Sequence, residues 1–497
     1  MKFSNMFGKG LRPLPRVLAV GALALPLGAC DLDRVLAVRD PEQVSPGDLE
    51  NAESVPGLYN GALRSFFVAY SGAADDAYLT TSGLLADELY AADTFPTRQA
   101  TDKREQQPVS LGNTSDVAYG RLQLARVNAR RAAAAAERFG VGNAGAASLP
   151  ASLATLRAIE GYTYVTLAEG FCGNIPFSVV PDSGPIDPLD TEQFRPGIST
   201  LAAFDSAIVR MTAAVAAQPS NNLARVGLGR AQLNRGNYAA AAAAVAGVPT
   251  NFVFRIEHSA NSSAQTNPVW SLQSNGRYGV ANDEGGIQRP DQAAAGAGFA
   301  TDEGEGLAFR AYMDPRVTWF AGGNAFAAGV LSFKDGRYID QNSDVPLASG
   351  VEARLIEAEA QLAAGGDWLA TLNALRAQAS TLIPLLYPAI TDNLKAQFPQ
   401  TLAPLTDPGT AAARVDLLFR ERALWMYMTG HRLGDLRRLV RQYGRSQATV
   451  FPTSSAANEP YFYGPGGVFG NDVAMPVPFN EVNNTQYDPS LCNVDQA

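Results

Sequence analysis

Histidine is nearly absent from this chain: His258 and His431 are the only two in 497 residues. That is too few for a multi-histidine zinc site, and any histidine-based triad would have to use one of these two, neither of which stands beside a nucleophile motif. Cysteine is almost as scarce, with three residues, so the fold must rest on an apolar core rather than on a dense disulfide framework. Charged residues make up only 18%, and they lean to acid, with 39 Lys+Arg against 48 Asp+Glu. No basic run occurs beyond the extreme N-terminus, which removes the footprint that nucleic-acid phosphates require. Past the N-terminal leader, the most apolar stretch, Leu382 to Ile390, is interrupted by Pro384 and Pro388 and falls well short of the roughly 20 residues of a membrane helix. Gly285-Gly286 and similar pairs lack the strand-and-helix setting of a phosphate loop. Paired carboxylates for glycoside hydrolysis are defined in space rather than in sequence, and no local motif marks such a pair. A non-enzymatic protein without metal or cofactor is expected.

The N-terminus is a leader. Lys2, Lys9, Arg12 and Arg16 precede an apolar run, Val17 to Leu27, which ends in Leu27-Gly28-Ala29-Cys30. This pattern is a secretion signal rather than structure, and its end resembles the bacterial lipoprotein lipobox. Residues 1–29 are therefore expected to be removed and Cys30 to be acylated, at about 0.8 kcal/mol of membrane affinity per buried methylene. The mature body is 30–497. In an oxidising compartment the remaining thiols, Cys172 and Cys492, can form a bridge that pins the C-terminal tail to the body. Two independently buried cysteines are the alternative.

Between the leader and the tail, the apolar spacing is mostly helical. Leu49, Ala52, Val55, Leu58, Tyr59, Ala62 and Phe66 fall at helical intervals between Asp48 and Tyr70, and further helices are expected over Ser115–Phe139, Ser152–Gly170, Ile198–Ala217 and Leu223–Val248. Alanine dominates their faces, which favours helix formation and close helix pairing. Leu228 to Tyr238, followed by an alanine run, reads as helix, glycine turn, helix, with Gly229 and Ala241 at the crossing and Gly236 in the left-handed turn. It resembles the tetratricopeptide hairpin, and Ala353–Ala379 repeats the logic around Gly365-Gly366-Asp367. The expected architecture is mainly α: a tetratricopeptide-like helical-repeat scaffold over about 48–248 and 349–443. A loop-rich insertion spans 250–348, with short strands at pieces such as Phe252-Val253-Phe254 and Val269-Trp270-Ser271-Leu272, and an irregular tail spans 445–497.

One C-terminal passage carries a family likeness. Arg420-Glu421-Arg422-Ala423-Leu424-Trp425, followed by Thr429-Gly430-His431-Arg432-Leu433-Gly434-Asp435-Leu436-Arg437-Arg438, resembles the signature of the SusD/RagB family of surface glycan-binding lipoproteins. Gly173-Asn174-Ile175-Pro176-Phe177, Ser343-Asp344-Val345-Pro346 and Met475-Pro476-Val477-Pro478 match further family elements in order. Thr429 departs from the family's usual glutamate. If the helix ran on through Gly430, Glu421, Arg432 and Asp435 would share one stripe and pair with each other; if it broke there, they could pair across the turn. Either way these carboxylates are structural, because adjacent arginines lower their pKa and make them poor acid catalysts.

The resemblance implies an outer-membrane, surface-exposed, lipid-anchored protein that binds oligosaccharide and passes it to a SusC-like TonB-dependent transporter without breaking a bond. The same arrangement could carry peptide or another nutrient, and a helical-repeat envelope scaffold is a further alternative. Sugars are held by aromatic faces flanked by hydrogen-bonding side chains, and two loop regions supply both. Tyr90, Phe95 and Arg98 follow the first helix, where the family often places ligand contacts. Trp270, Asn275, Arg277 and Tyr278 lie in the insertion. Trp319 and Tyr312, beside Asp314-Pro315-Arg316, read as core.

Overall fold

Alanine sets the helix spacing in the first half of the chain. The computed structural model describes residues 49, 51–72, 77–142, 148–179, 181–182, 193–281, 307, 309–310, 312–328, 330–451 and 469–497; the leader and Cys30 lie outside them. Helix α1 (Val55–Ser71) starts later than the periodicity suggested, with Pro56 in its first turn, where the missing N–H leaves no intrahelical bond unmade. After α2 (Tyr78–Leu85), β1 (Leu89–Ala91) and α3 (Pro96–Asp102) comes α4 (Ser115–Phe139), which buries Ala118, Leu122, Ala125, Ala129, Ala132 and Ala136 along one stripe. That stripe lets α1 and α5 (Leu149–Gly170) pack closely on either side of it. Two short strands, β2 (Ile175–Pro176) and β3 (Gly197–Ile198), pair before α6 (Thr200–Ala217).

Helix α6 corrects one expectation. Among the described residues it is the one helix long and apolar enough to cross a membrane. Its small side chains, Ala203, Ala207 and Ala214, are buried with Phe204 and Met211, and it packs mainly against α5 and against α7 (Asn222–Asn234). Its polar positions are paired as well: Asp205 takes Arg235 at 2.7 Å and Arg210 meets Glu160 at 2.9 Å. It is a repeat helix of the scaffold.

The α7–α8 hairpin matches its sequence pattern closely. Gly236 sits at φ +80° between α7 and α8 (Tyr238–Val245), and a Cβ on Gly229 would come within 2.5 Å of Val245 Cγ1 and 3.4 Å of the Ala241 carbonyl. Only a glycine lets these backbones approach so far. Next come β4 (Val253–Ile256) and then α9 (Pro268–Ser274). Helix α9 is a correction: Val269–Leu272 is helical rather than a strand, because Asn267 caps Trp270 N–H at 3.0 Å and Pro268 fits the first turn.

Strand β5 (Tyr278–Val280), the hairpin β6 (Trp319–Asn324) and β7 (Leu331–Asp335), and β8 (Val345–Ser349) complete the insertion. Antiparallel pairings join β1 to β5, β4 to β8 and β6 to β7; the first stitches the insertion to the helical body and the other two lie within the insertion. The second hairpin follows as α10 (Gly350–Ala364) and α11 (Trp368–Ala377), with Gly365 at φ +71° closing α10. Helices α12 (Ala379–Leu386), α13 (Ala411–Trp425) and α14 (Arg432–Tyr443) close the helical body. The tail then runs back over α5: Met475 N–H donates to Gly170 O and Cys172 N–H to Met475 O, both at 2.8 Å. Cys172 and Cys492, 320 residues apart in sequence, are bonded with their Cα atoms 5.2 Å apart.

Candidate functional site

Two segments far apart in sequence meet at the β1–β5 pairing, where Ala91 lies opposite Tyr278 and Leu89 opposite Val280. Ala92 N–H continues the ladder to Arg277 O at 2.7 Å. The tip of the β6–β7 hairpin closes over the junction, with Phe326 N–H on Gly276 O at 2.8 Å and Ala327 N–H on Ala92 O at 2.9 Å. Three loops are thereby fixed against one another by backbone hydrogen bonds. The 88–98 region and the 275–278 region, proposed separately from sequence, form one place.

Asp93 organises that place. Its side chain is fully buried. Oδ1 accepts from Thr94 N–H at 2.6 Å, Phe95 N–H at 3.2 Å and Arg277 Nη1 at 2.8 Å, while Oδ2 accepts from Arg98 Nη1 at 2.5 Å. Burial alone would raise this carboxyl, but the hydrogen bonds from Arg98 and Arg277 outweigh it and hold Asp93 below the usual carboxylate range. A carboxylate kept ionised in this way is a positioning group and a poor proton donor.

Around Asp93 the side chains alternate ring and guanidinium. Arg98 lies 5.7 Å from the Tyr278 ring centre and 4.7 Å from that of Phe95, while Arg277 lies 5.4 Å from Phe95 and 4.2 Å from Phe326. Such pairs contribute about 0.5–2 kcal/mol each, more where water is excluded. The stack runs from core to surface: Tyr278 and Arg98 are buried, whereas Phe95 and Phe326 are each 50% exposed and the Arg277 side chain is 25% exposed.

The expected ligand contacts are thus redistributed. Phe95 and Arg277 reach solvent. Tyr278, Arg98 and Tyr90 are buried, Tyr90 and Tyr278 on the paired strands β1 and β5 and Arg98 on α3. Tyr90 O–H donates to Leu331 O and accepts from Phe333 N–H at 3.2 Å, and burial pushes its phenol up to about 12. Trp270 is half-buried on α9 and Asn275 bonds back to Ser271 O at 2.8 Å; among the described residues neither shares a ring or hydrogen-bond contact with the stack. Phe326 escaped the sequence reading. Its one signal was a bulky ring in a run of small residues, Gly322-Gly323-Asn324-Ala325. Trp319 packs edge-on against Phe333 at 5.7 Å, as a core residue would, whereas Tyr312 is 37% exposed.

The C-terminal motif is scaffolding, and its pairings differ from those expected. Helix α13 ends at Trp425, and Glu421 binds Arg316 at 2.5 Å and Arg376 at 2.6 Å, not Arg432. Asp435 binds Arg422 at 2.9 Å and Arg438 at 2.8 Å. Between the helices, Met428 and Gly430 adopt left-handed φ of +48° and +75°, and the exposed peptide groups of this turn are taken up by side chains from elsewhere. Arg337 donates to Tyr427 O at 2.6 Å, Tyr338 to Met428 O at 3.0 Å, Tyr70 to Thr429 O at 2.6 Å and Arg230 to Gly430 O at 3.1 Å. Glu88 accepts from Met428 N–H at 2.6 Å. Glu88 also precedes β1, so this turn buttresses the strand that carries the stack.

Hollows elsewhere are of a different kind. One of about 370 Å³ between α1 and α4 is lined by Gly57, Gly61, Ala134 and Ala135, with Phe139 as its single ring. Two others beside the tail, of about 400 and 370 Å³, share Val109, Pro478 and Phe479. Among the described residues no three His, Cys, Asp or Glu side chains gather as a metal site would require.

No protein-family model and no curated protein sequence matches the chain. Solved structures do. A SusD-like carbohydrate binding protein from Bacteroides vulgatus superposes with a TM-score of 0.56 at 12% identity, over 91% of this chain and 98% of that one. A SusD/RagB family protein from Bacteroides thetaiotaomicron gives 0.55 at 13% identity, over 90% and 95%. A laminarin-binding SusD-like protein gives 0.54 at 14% identity, over 87% and 98%. The class that the fold defines is therefore the SusD-like one. The chain has this mainly helical, tetratricopeptide-like fold along most of its length.

Proposed function

We propose that this protein is a lipid-anchored, surface-exposed receptor of the outer membrane that binds oligosaccharide without cleaving it and passes it to a SusC-like TonB-dependent transporter. The observation that carries the reading is the stack ending in two half-exposed phenyl rings with a guanidinium between them. Sugar rings present CH-rich faces that such phenyls cover, and their hydroxyls accept from the arginine edge. The leader ending at Cys30 supplies the anchor, and a tether to the membrane keeps the binding face at high effective concentration near a barrel in the same membrane. Two of the similar structures are described as carbohydrate- or laminarin-binding, which supports cargo of this class.

The test is a calorimetric glycan screen on the soluble chain from residue 31, beside the Phe95→Ala, Phe326→Ala double variant. Each ring is worth about 0.5–1.5 kcal/mol beyond its area, so the double variant should bind roughly tenfold more weakly. Equal affinity in a variant with native circular dichroism would refute this site.

A further inference from the structure

Resting on that reading, we infer that the cargo is an acidic oligosaccharide, whose carboxylate or sulfate group is taken by the open edge of Arg277 between the Phe95 and Phe326 rings. Arg277 is only partly compensated by its one carboxylate partner. Only its Nη1 reaches Asp93, at 2.8 Å, and the receiving Oδ1 already holds two backbone N–H groups, while Oδ2 is occupied by Arg98. One carboxylate serving four donors cannot fully compensate Arg277 as well. Its Nε and Nη2 find no acceptor among the described residues, and a quarter of its side chain reaches solvent.

Two phenyl rings stand close to this guanidinium, its centre lying 5.4 Å from that of Phe95 and 4.2 Å from that of Phe326. The edge left open, Nε and Nη2, is the side of the planar fork that meets a carboxylate or sulfate with two parallel hydrogen bonds. The flanking rings also displace water, which strengthens a charge-assisted bond at that edge. Such bonds are roughly twice as strong as those to neutral hydroxyls, so a neutral sugar would gain less from the same edge. The chain's net charge is −9, so the preference must come from this local contact and not from the field of the whole protein.

The experiment compares charged and neutral forms of one skeleton on the purified full-length chain in detergent. Oligogalacturonate is titrated against its methyl ester, and a sulfated agaro-oligosaccharide against its desulfated form, with wild type, Arg277→Gln and Arg277→Lys. The acid is expected to bind at least tenfold more tightly than its neutral partner in one of the two pairs, which also identifies the anion. Arg277→Gln should erase the preference, and Arg277→Lys, which keeps the charge without the fork, should restore only part of it. Equal affinity for acid and neutral forms, or a preference that survives Arg277→Gln, overturns the inference while leaving glycan binding intact. Absence of binding to every glycan overturns the underlying reading and this inference with it. The wild-type comparison decides the matter even if the glutamine variant folds poorly.

Discussion

Replacing Asp93 by asparagine tests the binding face at its root. The substitution keeps the shape but removes the charge that two arginines share, and it turns an NH2 group toward one of them. Arg98 is 4% exposed, so it would lose a buried anionic partner, a change that costs about 3–5 kcal/mol. Arg277 is a quarter exposed and water takes over much of its loss, adding about 0–1 kcal/mol. The amide oxygen of the introduced asparagine can still accept from the Thr94 and Phe95 N–H groups, so the sum should lie near the lower end, about 3 kcal/mol. Urea unfolding followed by circular dichroism measures this directly. The same variant should bind glycan at least tenfold more weakly, because Phe95 and Arg277 lose their common anchor. The pH profile adds a sign. Asp93 has a folded pKa below its unfolded one, so its stabilisation is complete above the ordinary carboxylate range and disappears only as pH falls through the lowered folded value. Wild type should therefore hold its glycan affinity at pH 5 and lose it in stronger acid. An Asp93→Asn protein with an unchanged urea midpoint and an affinity within twofold of wild type would show that the carboxylate does not organise the stack.

Two other buried groups give separate tests. Glu421 is fully buried and binds Arg316, which keeps Asp314 as a second partner at 2.7 Å; Glu421→Gln should therefore destabilise by about 3 kcal/mol while leaving glycan affinity nearly unchanged once folded, and a urea shift below about 0.5 kcal/mol would contradict the pairing. His258 is buried neutral: Nδ1 donates to Gln265 O at 3.0 Å, Nε2 lies 3.2 Å from Ser71 Oγ, and burial, helped by Arg64, lowers its pKa to about 4. Its contribution is present above the unfolded value of about 6.5 and is lost as pH falls towards about 4, a change of about 3 kcal/mol. Asp344, which accepts His258 N–H at 3.0 Å and has a raised pKa through burial, acts in the opposite direction at the acid end. Stability measured from pH 7.5 to 5 should fall in wild type and stay flatter in His258→Gln, and parallel profiles would contradict this assignment.

The helical body was legible because its signals are local. The stretch from Ser115 to Phe139 is a helix to the residue, and the Gly229, Gly236 and Ala241 pattern marks a real crossing. A short apolar run is ambiguous by periodicity alone, which is why Val269–Leu272 read as a strand despite the Asn267-Pro268 start signal beside it. The binding face was legible as a neighbourhood and illegible as an arrangement. Which of Tyr90 and Tyr278 points outward depends on the β1–β5 register, set by strands nearly two hundred residues apart, and a one-residue change of register would exchange the buried and exposed faces, while Phe95 and Arg98 are placed by α3. Phe326 joins the site only because its hairpin tip lands on Gly276 and Ala92, which nothing in its own neighbourhood announces. The partners of Glu421 and Asp435 were likewise set by the break at Gly430 and by arginines from other elements.

The stack and the C-terminal turn share one structural solution. In both, irregular backbone is held by side chains tied to distant elements: Asp93 holds the neighbouring Thr94 and Phe95 amides and is itself bound by Arg277, and Arg337, Tyr338, Tyr70 and Arg230 hold the carbonyls of Tyr427 to Gly430. Buried peptide groups must find partners, and a loop whose partners lie on several elements cannot move without releasing all of them. Glu88 links the two places, since it accepts Met428 N–H through its side chain and, through its carbonyl, Ala281 N–H and the Tyr427 hydroxyl at the foot of β1. A binding face built this way is preorganised, so cargo need not supply the ordering entropy of the loops that grip it. In the proposed site, stiffness in the scaffold and selectivity at Phe95, Arg277 and Phe326 would be one property, and the arginine-rich C-terminal motif would act on a ligand through the position of β1.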